Sequence, residues 1–229
     1  MFTSDFEEAR ELSSNFLGNT IFLDTWIPKN RFIKAELLPN SLTISRHDNG
    51  IFGVAFGSEP SIPEDWSRFS IETIGASRVP SIFTQKSAWQ VFTKEIEFPE
   101  SEGEKAEVFL DRDEEIASFL KEHAPDSSVM PGNSEIVTWV ITGDEQITGV
   151  AAICRWESGR YVVASVAVDK TKRNQGIGKM LMRKIDTISQ GIGISRLCLG
   201  VISANQSAIH LYENSGWSRI HQFAYFESA

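Results

Sequence analysis

The chain has 229 residues, 41% of them apolar and 23% charged, which is enough material for one large or two small globular domains. Its 31 acidic residues outnumber 22 basic ones, for a formal net charge of −9, and so acidic a surface repels nucleic-acid phosphates and anionic membranes. The start MFTSDFEEAR lacks the pattern of a signal peptide, no apolar run nears the roughly 20 residues that cross a bilayer, and Cys154 and Cys198 sit in apolar runs. A cytoplasmic chain with free, buried thiols is expected, without a membrane or nucleic-acid partner.

In chain order, residues 5–18 have helical spacing, with Phe6, Ala9, Leu12, Ser13 and Phe16 at three- and four-residue steps. Leu42 to Arg46 and Ile51 to Phe56 read as a hairpin around His47-Asp48-Asn49-Gly50, where Asn-Gly supplies positive φ angles. Pro60, Pro63, Pro80 and Pro99 punctuate residues 57–104, and the polar run Glu100 to Lys105 is read as a linker. The expected domains are therefore 1–104, a smaller α+β unit, and 105–229.

The second part is sharper. Ala106 to Leu110 is a candidate strand, and Asp113 to His123 a helix with Ile116, Phe119 and Leu120 on one face. Ile136 to Thr142 and Ile147 to Trp156 form a hairpin around Gly143 to Gln146, and Tyr161 to Val168 is a strand rich in β-branched residues. Gly176 to Ser189 is a helix with Ile177, Leu181, Ile185 and Ile188 in one stripe. A strand at Ser195 to Val201, a short helix at Asn205 to Ser215 and one or two closing strands in Trp217 to Phe226 follow. This order predicts a mixed α/β sheet.

Two hairpin segments, DNGIFGVAF from Asp48 and DEQITGVAA from Asp144, share the pattern D-x-x-I-x-G-V-A at an offset of 96 residues. They point to a duplicated fold with a worn-down first copy, convergence of two amphipathic hairpins being the alternative.

Chemistry concentrates in Val166 to Lys179: a strand end, a basic turn, two glycines one residue apart and a helix start. Free N–H groups and the positive dipole end of a helix N-terminus favour a phosphate, and glycine lets the backbone approach it. Six of the fifteen residues from Lys170 to Lys184 are Lys or Arg and none is acidic, a basic island that suits a compact anionic ligand. A dinucleotide fingerprint would need a glycine where Leu181 stands, and a phosphate-binding Walker loop would need Gly at Arg173 and Ser or Thr at Met180. A solvated basic face beside a glycine-rich turn is the plainer alternative.

The run Arg173-Asn174-Gln175-Gly176-Ile177-Gly178 resembles the R/Q-x-x-G-x-G/A signature with which the GNAT superfamily of N-acetyltransferases holds the coenzyme A pyrophosphate. Asn205 to Trp217, NQSAIHLYENSGW, is similar to that family's second signature, N-x-x-A-x-x-x-Y-x-x-x-G-F/W. The resemblance is strong over 161–217, fair over 107–160 and weak over 1–100. It implies a mixed, mostly antiparallel sheet whose fourth and fifth strands, here Tyr161–Val168 and Ser195–Val201, splay apart around the pantetheine arm of acetyl-CoA.

By that resemblance Val166, Ala167 and Val168 form the strand that meets the arm, with main-chain groups of Val166 and Val168 offered to it and one amide polarising the thioester carbonyl. Main-chain N–H groups of Asn174, Gln175, Gly176, Ile177, Gly178 and Lys179 would cradle the phosphates, and Arg173 would supply charge. Asn205 and Ala208 would border the arm. Tyr212 would protonate the departing thiolate, since a phenol of pKa about 10 stays protonated at neutral pH yet can donate to a thiolate of pKa about 8.5. Core packing beside Ala208 and Leu211 is the other reading of Tyr212.

No general base is assigned. The family often carries Glu at the start of the fourth strand, where Arg160 or Tyr161 stands, and Glu157, Glu135 and His123 have more ordinary surface or structural readings. No metal is expected. The implied activity is acetyl transfer from acetyl-CoA to the amine of a small molecule or peptide; use of another acyl-CoA, or a non-catalytic CoA sensor, are the alternatives. Residues 70–78, SIETIGASR, carry no counterpart of the phosphate loop, so one cofactor per chain is expected. Ser127, Ser128, Trp139 and Trp156 are candidates, by position, for the acceptor lining.

Overall fold

The computed structural model describes residues 1–98 and 112–228. The expected linker, domain boundary and strand between 100 and 110 lie outside them. The chain divides into two compact units: Met1–Val91 with Val201–Asn205 and Ile220–Ala229, and Phe92–Gly200 with Gln206–Arg219.

The first unit opens with β1 (Phe2–Thr3) and α1 (Phe6–Leu17), whose start is capped by the Asp5 carboxylate accepting from the Glu7 and Glu8 amides and whose end is Gly18 at φ +74°. A second helix, α2 (Ile21–Trp26), then β2 (Phe32–Leu38), went unread in the sequence. The Asn-Gly hairpin forms as expected from β3 (Ser41–His47) and β4 (Ile51–Gly57), with positive φ at Asn49 and Gly50. β5 (Arg68–Glu72) lies parallel to β4, in register from Phe52 opposite Arg68 to Ala55 opposite Ile71. The connection between them, residues 58–67, contains no helix. A 3₁₀ turn at Thr73–Arg78 and the long β6 (Phe83–Glu95) follow, and the division between the units falls within β6.

The second unit carries α3 (Asp113–His123), β7 (Ile136–Thr142), β8 (Gly149–Arg155), β9 (Tyr161–Val168), α4 (Ile177–Gly191), β10 (Arg196–Ile202), α5 (Gln206–Glu213) and the start of β11 (Ser218–Ser228). The tail is one strand, and its end pairs antiparallel with β5 in the first unit. β7, β8 and β9 form an antiparallel meander, and β10 is parallel to β9. α3 covers one sheet face, packing Ile116, Phe119 and Leu120 against Trp139, Ile141, Val150, Ala152 and Cys154. α4 covers the other: a Cβ on Gly149 would meet Ile177 Cγ2 at 3.1 Å. This is the mixed α/β sheet that the element order predicted, with the mostly antiparallel pairing that the resemblance implied.

Each unit thus runs three antiparallel strands into a fourth that is parallel to the third, β2–β3–β4 with β5 and β7–β8–β9 with β10. The shared hairpin pattern does not follow that correspondence. Asp48 to Phe56 leads into β4, third in its meander, whereas Asp144 to Ala152 leads into β8, second in its own. The glycines of the pattern answer to different neighbours, Gly53 to the Trp66 ring and Gly149 to α4. That short match does not superpose one meander on the other; the recurrence lies in strand order.

Candidate functional site

β9 is the strand on which the site is built. It meets β10 with Val162 opposite Cys198, the single in-register pair of these strands among the described residues. On its other edge β9 pairs with β8 along its whole length, from Tyr161 opposite Arg155 to Val168 opposite Gly149. The Asp169 amide donates to Thr148 O on the β8 side at 2.9 Å. Because main-chain groups alternate along a strand, those of Val168 and Val166 turn to the β10 side, and those of Ala167 turn back to Val150. The Ala167 side chain is buried in the α3 core. Of the three residues expected to border the arm, Val166 and Val168 therefore present main-chain groups to the open edge and Ala167 does not.

A feature the sequence reading missed lies just before them. The β8–β9 register shifts between Ala152 opposite Ala164 and Val150 opposite Ala167, and Ser165 there has φ +49°. This is a β-bulge, which adds a residue and re-aims the main chain. The run YVVASVAV carries no local mark of it, since the conformation of Ser165 is set by a residue 36 positions earlier.

Beyond β9, Asp169 organises the basic turn. Its carboxylate accepts from the Thr171 hydroxyl at 2.7 Å and amide at 2.8 Å, and these bonds, with the charge of Lys172, hold it below the usual carboxylate range. His123 serves the same turn: its ring packs on Phe119 and its Nδ1 accepts from the Lys170 amide at 3.3 Å. The Lys170 ammonium donates to Glu122 O at 2.8 Å. His123, weighed as a base, is thus occupied as a support.

Asn174 at φ +63° and Gly176 at φ +81° then fold the chain into the start of α4. Residues 173–176 are exposed, and a Cβ on Gly176 would meet nothing within 4 Å. The loop is open, with the free amides of a helix start beside it. Gly178 has a different reason to be glycine. A Cβ there would stand 3.0 Å from Leu211 Cδ2, so its absence lets α4 and α5 approach. Lys184 turns away, donating to Ile141 O at 3.0 Å.

On α5, Ala208 is half-buried and Tyr212 is 5% exposed, its ring beside Phe92 and Trp217 at centroid distances of 6.0 and 6.1 Å. Burial pushes the Tyr212 phenol well above its ordinary range. Asn205 directly precedes α5, its amide donating to Ile202 O at 2.9 Å. Trp139, considered for the acceptor lining, is core, whereas Ser127 lines a groove of about 480 Å³ beside α3 together with Glu114, Ser118, Lys121 and Met130. Among the described residues, no cluster of three His, Cys, Asp or Glu side chains is arranged to hold a metal ion, and no helix is long and apolar enough to cross a membrane.

Residues 91–217, the stretch that holds all of these elements, match the sequence profile of the Acetyltransferase (GNAT) family. The chain belongs to the GNAT acetyltransferase family. That family transfers acyl groups from acyl-CoA donors. No curated protein matches the sequence. Similar solved structures include a GCN5-related N-acetyltransferase from Sphaerobacter thermophilus, 12% identical with a TM-score of 0.56 over 84% of this chain and 79% of that one. A GNAT-family acetyltransferase from Colwellia psychrerythraea is 9% identical with a TM-score of 0.51, covering 100% of this chain and 99% of its own. A GCN5-related N-acetyltransferase from Kribbella flavida is 16% identical with a TM-score of 0.50, at 96% and 95% coverage. At such identities the likeness is one of fold, and it extends over both units.

Proposed function

We propose that this protein transfers acetyl from acetyl-CoA to an amine of a small molecule or peptide. The observation that carries the reading is an open strand edge leading into an open phosphate loop: Val166 and Val168 turn their main-chain groups away from β8, and the chain then runs through Asp169 into the exposed turn before α4. Val166 and Val168 would hold the pantetheine arm, Arg173 and the Asn174–Lys179 amides the diphosphate, and Asn205 and Ala208 the border of the arm. The amine nitrogen forms its bond to the thioester carbonyl carbon, a strand amide stabilises the developing oxyanion, and the C–S bond breaks. Tyr212 gives its proton to the departing sulfur and is reprotonated from solvent, and the proton that the bonded amine nitrogen sheds passes to solvent.

The site is assigned to residues 105–229, with 1–104 as a degenerate copy that carries no cofactor. The buried, free thiols of Cys154 and Cys198 support a cytoplasmic setting.

The test is the purified full chain with acetyl-CoA and longer acyl-CoAs against a panel of amines, reading thiol release, alongside calorimetry of CoA binding. Turnover with acetyl-CoA and an amine supports the reading. Absence of affinity for every CoA thioester overturns it, and tight binding without turnover across the panel makes the protein a CoA sensor instead.

A further inference from the structure

We propose that Ser165 is a positioning residue for the acyl transfer, tying the acceptor-side segment around Val129 to the bulge of β9 beside the Val166 main chain; this rests on the acyltransferase reading above. Ser165 holds φ +49° in the middle of a strand. Such a left-handed conformation is strained for a non-glycine residue and persists only where its surroundings enforce it.

The enforcing contacts are specific. The Ser165 hydroxyl donates to Val129 O at 2.6 Å and accepts from the Val129 amide at 3.1 Å. One hydroxyl thereby satisfies both main-chain groups of one residue 36 positions earlier, doing for Val129 what a neighbouring strand would do. A hydroxyl is the smallest group that both donates and accepts. Alanine loses both bonds, and the branched Cβ of threonine is disfavoured at positive φ.

What lies on either side gives the tether its role. Val129 is buried against Ile116, Phe119 and Leu120 of α3, and the adjacent Met130 lines the α3 groove with Ser127. On the other side, the bulge decides which β9 amides face the open edge, because one extra residue exchanges the two edges of a strand. The segment that borders the groove and the amide next to the thioester are therefore held in one register. Displacing bound reactants by about 1 Å costs on the order of a hundredfold in rate, so losing the tether while the bulge is kept should reach the acceptor and spare the donor.

The experiment compares the parent chain with Ser165→Ala and Ser165→Gly. Glycine removes the tether but adopts positive φ freely, so it folds even if alanine does not. Ser165→Gly, which keeps the bulge, is expected to bind CoA within about twofold of the parent while kcat/KM for the acceptor falls by about tenfold or more; Ser165→Ala should lose at least as much acceptor turnover. Exchange of the Val129 amide hydrogen, slow in the parent, should accelerate in both. Parental acceptor kinetics in Ser165→Gly, or CoA affinity falling in step with acceptor affinity, overturns the proposal while the acyltransferase reading stands. A parent that binds no CoA thioester overturns both.

Discussion

Gly178 of α4 and Leu211 of α5 are separated by the space of one missing methyl: a Cβ on the glycine would stand 3.0 Å from Leu211 Cδ2. The contact joins the helix that begins at the Gly176 turn to the helix that carries Tyr212. Gly178→Val should cost about 1–3 kcal/mol through overpacking. Thermal denaturation of a double-mutant cycle with Leu211→Ala tests the cause, since trimming Leu211 should recover much of that loss.

Gly176 predicts the opposite kind of effect. Its surroundings are empty, but its φ of +81° penalises any side chain. Gly176→Ala should cost about 1–2 kcal/mol of stability and weaken CoA binding, whereas Gly176→Asn, a better left-handed residue, should keep most of both. Calorimetry and melting curves on the two variants separate conformation from contact.

Tyr212→Phe should lower turnover by roughly a hundredfold and leave CoA affinity nearly unchanged if the phenol is the acid. Because burial raises the Tyr212 phenol, its ionisation should not limit the alkaline side of the pH–rate profile. A variant with parental kcat removes Tyr212 from the chemistry and returns it to packing with Phe92 and Trp217.

The Cys154 thiol is pushed up to about 11 by burial, with the charge of Glu135 adding to it. A raised folded-state pKa favours the neutral thiol, so its stabilisation is fully present below the unfolded value near 9 and is lost as pH rises to about 11. The chain should lose about 2–3 kcal/mol across that window. Cys154→Ala should flatten the decline while being less stable at neutral pH, as denaturant melts from pH 8 to 11 would show.

Much of the second unit was legible because its signals are local. The stripe of Ile116, Phe119 and Leu120 marked α3, the β-branched run marked β9, and the glycines with Arg173 marked the loop. The first unit yielded less. Its α2 is only six residues long, too short for a period to register, and the partly buried β2 shows no clean alternation. In the site, the bulge was hidden because Ser165 takes its conformation from Val129, and no local pattern reports a bond across 36 residues. The role of Gly178 escaped for the same reason, since Leu211 lies far along the chain.

The laddered pair β4 and β5, matched from Phe52–Arg68 through Ala55–Ile71, closes a route to novelty as well as a cleft. Transplanting Arg173–Lys179 into the connection at residues 58–67 would install an anion cradle with no slot for a pantetheine behind it. Opening a slot there would mean unzipping a formed parallel ladder, so a grafted loop alone would bind a bare phosphate better than a CoA thioester.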